Sequence, residues 1–462
     1  MTARFPGIAR TGDRTSTCEQ PLGTLLAGLD PASAGLARSA VDWILPEGAD
    51  LSQLGQAELQ EFLWYQLPVK WLAETRELHE IAWSLADLFT AAGLERYAGL
   101  CRAPQTHRLL DAWQDDDHGP ARKMMKEAIK ASGVEPPDTL VMRWGAVMGE
   151  AEQSARRVVS KALEQAVAAG ELVPGERGWK QLAARITEVS LTMPRLVLRG
   201  GTLAQAVSRE RGESWAAGYP AVRQDLLTQM LPLLARDVGV PAGAGASLMP
   251  LRWLLERVGD GVILTRAGWL PRAVALEAND AFAWFDLFGV TVQTETDLPE
   301  LGALNELARR TRLITKKGRK VSLSAAGRRA LGDPKLLWRV VLADIFSAGT
   351  YEGEGAALAA ATLVRANMAV PYPRVEATVG AGLVGRWRTG SGAMIEEWSG
   401  LDATHEFGLL ADVFGWIEQD DDGQNRTWAL TSTGREAALL GLQLQARTPQ
   451  NRIWPSRVMP RP

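Results

Sequence analysis

Nine cations crowd residues 309–329: Arg309, Arg310, Arg312, Lys316, Lys317, Arg319, Lys320, Arg328 and Arg329, with no acidic residue among them. Guanidinium and ammonium groups at this density suit the phosphate backbone of double-stranded DNA. Each phosphate contact releases a counterion, so such binding weakens as salt rises. Lys316, Lys317, Arg319 and Lys320 flank Gly318. The sequence therefore predicts a hairpin with these four residues at its tip.

Other chemistry is sparse. His79, His107, His118 and His405 are scattered and lack metal-binding helix spacing, so each reads as structural or solvent-exposed. Asp115, Asp116, Asp117 and His118 read as a solvated connection, because consecutive carboxylates repel one another and have no rigid frame. Gly380, Gly382 and Gly385 have G-x-G-x-x-G spacing. The glycine-broken "RWRTGSG" follows where a dinucleotide fold needs a clean helix. No phosphate-binding loop and no nucleophile elbow occurs. The expectation is no catalytic residue, no cofactor and no metal.

The 462 residues carry a net charge of −3, with 46% apolar and 23% charged residues. That is an ordinary globular composition, long enough for two to four domains. A chain that merely coats nucleic acid is usually more basic, so any such role must be local. Cys18 and Cys101 lie far apart, which argues against a disulfide framework or a cysteine zinc site. The first residues lack the apolar core of a signal peptide, and no apolar run is long enough to span a membrane. The expectation is a cytoplasmic protein with no membrane partner. The 17 tryptophans read as core anchors.

Apolar spacing predicts a mainly α fold with short β-hairpins. Residues 1–50 read as partly loose, and 51–238 as a helical region. Within it Leu59, Phe62, Leu63 and Leu67 form one stripe, and Ile81, Leu85, Leu88 and Phe89 another. Ser52 is a candidate N-cap, and Pro68 should break or kink its helix. "GVPAGAGAS" (239–247) reads as a linker, 248–448 as a repeat region and 449–462 as an extended tail.

The repeat has a signature: apolar, x, Leu, Thr or Ser, x, x, Gly. It occurs at Val262–Gly268, Val321–Gly327 and Trp428–Gly434, each after a helix-like stretch. Residues two apart share a strand face, Thr or Ser can cap the next helix, and Gly permits close approach of strand and helix. Asp-Gly within 420–426 predicts a hairpin turn.

Helix, hairpin, Leu-Thr-x-x-Gly, helix resembles the end of a winged-helix domain, above all repressors of the multiple-antibiotic-resistance type. "LLERVGDGVILTRAGWLP" and "GRRALGDPKLLW" also resemble segments of uncharacterised actinomycete proteins. The first resemblance implies three winged-helix-like units, transcription regulation and DNA contacts by the nine cations; the second implies no activity. Glu300 and Glu306 on the helix before the basic hairpin would face phosphate badly. The third copy carries Glu418, Asp420, Asp421 and Asp422 where a DNA-binding wing is basic, and the first has only "GDG" (259–261). Three readings stay open: a non-enzymatic DNA-binding or regulatory protein, a protein-interaction scaffold, and an enzyme of unrecognised class.

Overall fold

The computed structural model describes residues 21–45, 50–115, 117–285, 291–388, 392–396, 400–421, 425–450 and 457–458. The chain is mainly helical and divides into two compact units. The first spans Met1–Trp144 and Glu150–Ala206, the second Gly145–Gly149 and Val207–Pro462. Among the described residues no helix is long and apolar enough to cross a membrane.

Helices build the first unit, and its core includes both predicted stripes. Leu59, Phe62, Leu63, Leu67, Ile81, Leu85, Leu88 and Phe89 are each at most 1% exposed. Pro68 does not end the helix where it stands. A π-helical turn over Phe62–Gln66 precedes it, the helix runs on through Leu67–Lys70, and then it stops. The wider turn accommodates a residue that has no N–H to donate. Ser52 is not an N-cap; it lies in a 3-10 turn that Asp50 caps. Within 1–50, residues Leu22–Ala27 and Pro31–Ile44 are helical, and Asp30 caps the second of these helices. Tryptophans tie the unit together: Trp64 Nε1 donates to Thr106 Oγ1 at 2.9 Å, and Trp113 Nε1 to the Trp64 carbonyl at 2.8 Å. Cys101 is buried here, whereas Cys18 lies outside the described residues.

The second unit repeats one order of elements. Its first pass is α1 (Met249–Val258), β1 (Val262–Ile263), α2 (Arg272–Phe282), α3 (Pro299–Arg310), β2 (Ile314–Lys317), β3 (Lys320–Leu323) and α4 (Ala325–Gly332). A connecting helix α5 (Pro334–Ile345) follows. The second pass is α6 (Tyr351–Ala366), β4 (Val370–Pro371), α7 (Tyr372–Leu383), α8 (Gly400–Val413), β5 (Ile417–Asp421), β6 (Arg426–Leu430) and α9 (Ser432–Ala446). Each pass has one antiparallel sheet, ordered β1-β3-β2 and β4-β6-β5. Val262 pairs with Val321, and Ile314 with Leu323; all four are buried, so this face of the sheet closes on the core.

The three signature segments therefore belong to two sheets, not three units. The first segment supplies β1 to the sheet of the second. Its Thr265–Gly268 stretch is a turn, in which Gly268 N–H donates to the Thr265 carbonyl at 3.1 Å and no helix is capped. The other two segments share one corner. Ser324 Oγ accepts from Gly327 N–H at 2.8 Å and donates to the Arg312 carbonyl at 2.8 Å. Thr431 Oγ1 accepts from Gly434 N–H at 3.0 Å and donates to the Gly415 carbonyl at 2.9 Å. A Cβ on Gly327 would overlap the Leu313 carbonyl oxygen, and one on Gly434 the Trp416 carbonyl oxygen. The glycine is needed because strand and helix backbones touch there.

The stretch expected to link domains, 239–247, lies inside this unit. Residues Ala244–Ser247 are helical, and Ser247 Oγ donates to the Phe414 carbonyl at 2.6 Å while accepting from Trp416 Nε1 at 2.8 Å. Gly380 and Gly382 lie within α7, buried against α6 and α8, so their spacing serves helix packing. A buried ion pair ties α6 to the strand Trp387–Arg388. Arg386 donates to both Glu354 oxygens at 2.9 and 3.0 Å, and Trp387 Nε1 adds a third bond at 3.1 Å. Of the expected extended tail, Gln450 bridges Val147, and Arg457–Val458 pairs in parallel with Trp387–Arg388.

The shared corner gives a stability test. Gly327→Ala should destabilise the second unit by about 2–3 kcal/mol through overpacking. Ser324→Ala should cost about 1 kcal/mol through the lost cap. Urea unfolding followed by circular dichroism measures both.

Candidate nucleic-acid interface

The basic hairpin forms as the sequence predicts. Gly318 has φ +61° and Arg319 has negative φ, the glycine-first pattern of a two-residue hairpin loop. Lys317 pairs directly with Lys320, and Lys316 with Val321. Lys316, Lys317 and Lys320 are all exposed. The Lys320 stem lies over Gly261, so its ammonium is carried on a supported side chain. Arg312 is exposed at the left-handed position that ends α3, with φ +56°, and Arg329 is exposed on α4.

The remaining four cations each donate to a carbonyl or a carboxylate, and Arg310, Arg319 and Arg328 are exposed as well. Arg319 donates to the Leu264 carbonyl through Nε at 2.9 Å and Nη2 at 2.5 Å, which binds the hairpin to the end of β1. Arg309 Nη2 donates to the Gly268 carbonyl at 3.4 Å, and Arg328 Nη1 to the Leu323 carbonyl at 3.0 Å. Arg310 is the most committed. Its Nε and Nη2 donate to Asp344 Oδ2 at 3.1 and 2.8 Å, and its Nη1 to Glu406 Oε1 at 2.6 Å. One side chain thus joins α3 to α5 and α8. Burial works against its charge, yet Glu406 and Asp344 together hold its pKa above the ordinary value. Burial also raises the Asp344 carboxyl, outweighing the attraction of Arg310.

Helix α3 packs against α8. Arg310 meets Glu406 at one end of this contact, and Glu300 approaches Asp412 at the other. Burial raises the Glu300 pKa, and the charge of Asp412 adds to it. Glu300, which on sequence would face phosphate, faces a neighbouring helix instead; Glu306 is exposed.

The second hairpin differs in charge. Glu418, Asp420 and Asp421 lie on β5, while Asp422 and the expected Asp-Gly turn fall outside the described residues. Its one strand cation, Arg426, donates through Nε to Gln419 Oε1 at 2.9 Å and lies 5.0 Å from the Tyr372 ring centre and 5.7 Å from that of Trp428. That guanidinium is exposed and lies beside two aromatic rings.

Sequence reasoning missed three things here. It read all nine cations alike, because partners such as Glu406 lie 96 residues from Arg310. It missed the α3–α8 contact for the same reason. It also read His79 and His107 as unrelated, although their Nδ1 atoms stand 2.6 Å apart. Asp117 caps the helix His118–Ser132 by accepting from Gly119 N–H at 2.9 Å, and Asp116 lies outside the described residues. Among the described residues no group of three His, Cys, Asp or Glu side chains could hold a metal.

The division of labour among the cations is testable. Arg310→Ala should destabilise the second unit by about 1–2 kcal/mol, since it strands two carboxylates at a site one-third exposed. Lys316→Ala and Lys317→Ala should each fall within about 0.5 kcal/mol of the parent protein. Urea midpoints distinguish them. Comparison with known proteins adds no outside guide: no family model, no curated protein and no solved structure matches the chain.

Proposed function

We propose that residues 249–332 and 351–446 are two winged-helix domains in tandem, and that the protein is a non-enzymatic, regulatory DNA-binding protein. It grips the phosphate backbone of double-stranded DNA with the hairpin of the first repeat. The observation that carries this reading is the exposure of Lys316, Lys317 and Lys320 on a short hairpin held to the body of the domain by Arg319. The repeated order of helix, strand, two helices, hairpin and helix supports the domain assignment.

The contact is one of charge more than of sequence. Helix α3 holds the place of a reading helix, yet it packs on α8 and keeps Arg310 in ion pairs. The hairpin cations meet phosphate, and phosphate carries no sequence information. The α3–α8 contact also favours a second reading, a protein-interaction scaffold whose repeats pack on one another. Loss of the hairpin lysines separates the two readings, because a scaffold tolerates it.

Fluorescence anisotropy with random-sequence duplex DNA tests the proposal. Three phosphate contacts give a slope of log K against log salt of about −3. A Lys316→Ala, Lys317→Ala, Lys320→Ala variant should bind at least about tenfold more weakly at low salt, with a slope shallower by about 3. Absence of binding by the folded parent protein at low salt sinks the DNA reading and leaves the scaffold.

A further inference from the structure

In the first unit, two helices meet through paired imidazoles. His79 lies on the helix Thr75–Ala91, and His107 and Asp111 lie one turn apart on Pro104–Ala112. The two rings are nearly coplanar and meet edge to edge through their Nδ1 atoms, with centres 4.9 Å apart and planes 16° apart, and Trp83 stacks on His107 at 5.0 Å. His79 Nδ1 and His107 Nδ1 are 2.6 Å apart, while His79 Nε2 is 2.7 Å from Asp111 Oδ1.

Proton bookkeeping fixes the direction of these bonds. Only one hydrogen fits between the two Nδ1 atoms. A carboxylate only accepts, so His79 Nε2 carries a hydrogen and donates it to Asp111. With His79 neutral, its Nδ1 is an acceptor, and His107 Nδ1–H must donate. That leaves His107 Nε2 as a bare nitrogen, and the structure buries this atom without a partner. The chain runs His107 to His79 to Asp111.

Further protons break the chain. One on His79 Nδ1 reverses the bond between the rings and forces His107 to carry its own hydrogen on the buried, unpartnered Nε2. One on His107 Nε2 creates a buried N–H with no acceptor. We propose that His107, His79 and Asp111 form a directed hydrogen-bond chain that latches these two helices near neutral pH and releases them on acidification.

The surroundings leave the latch to these groups. Asp111, and His79 once it is protonated, are the groups whose charge acts on His107. Arg76 pairs with Glu80 on the first helix, and Arg102 from the helix Glu95–Arg102 pairs with Asp87. Arg108 donates to the Pro104 carbonyl, and His118, from the helix His118–Ser132, packs on Trp113. From the π-turn, Tyr65 packs against Trp113. Burial, and then His79, lower the His107 pKa below its ordinary 6.5. The unfolded chain therefore takes up the proton first as pH falls. The stabilisation is complete above about 6.5 and is lost below it, toward the lowered folded value.

Histidine side-chain NMR and amide hydrogen exchange on the full chain, from about pH 7.5 to 5, test this. The expected result is a neutral Nδ1–H tautomer at His107 and a titration below about 6.5. Protection of residues 104–112, corrected for intrinsic exchange, should fall at least about tenfold on acidification. His107→Gln cannot titrate, and its amide can offer His79 either an N–H or a carbonyl, so in that variant the protection should depend much less on pH. An ordinary His107 titration with the Nε2–H tautomer overturns the latch. So does protection that responds to pH equally in the parent protein and in His107→Gln.

Discussion

One guanidinium governs the second unit. Arg310 satisfies Asp344 and Glu406 together, so a single side chain binds the end of α3 to both α5 and α8 where these helices pack. Placed one-third exposed, it escapes the full desolvation penalty of a buried charge and still holds planar, directional bonds. The two repeats meet there, and the meeting decides which helix faces remain open. A lysine would supply the charge but not the fork that reaches two carboxylates on different helices.

The two hairpins show how one backbone plan takes opposite surface chemistry. Both end in the same corner, built from a hydroxyl cap and a close approach of two backbones at glycine. The solvent positions are then free to vary. The first hairpin presents Lys317 opposite Lys320, a like-charge pair that costs stability unless an anion lies nearby. In the second, Arg426 lies on Tyr372 and Trp428. A pair that opposes folding and a cation that assists it point to different uses of the same frame.

Local features were legible in the sequence and distant ones were not. The apolar stripes of the first unit, the Gly318 hairpin and the Ser324 cap on Gly327 depend on neighbours within a few residues, so spacing reveals them. Pro68 read as a break or a kink; the helix stops two residues beyond it, at Lys70, and the π-turn that precedes it has no sequence code of its own. The expected linker at 239–247 misled because its small residues suit close packing as well as flexibility. The true number of sheets could not be read, since β1 carries the signature of a separate repeat and differs only in its partner. For the candidate site, the cluster was visible as a run of charge. Which cations also bind carbonyls or carboxylates was invisible, because it depends on residues such as Leu264, Asp344 and Glu406.

The shared sheet also sets an order of events during synthesis. Val262 pairs with Val321, and two helices lie between them in the chain. The hairpin of β2 and β3 needs only local closure, whereas β1 must wait, unpaired, until the hairpin exists. A ribosome that has just released residue 270 has therefore made an edge with nothing to join. The first repeat completes itself from its far end backward, which keeps Val262 and Leu264 open to a chaperone or to a misplaced strand throughout that interval.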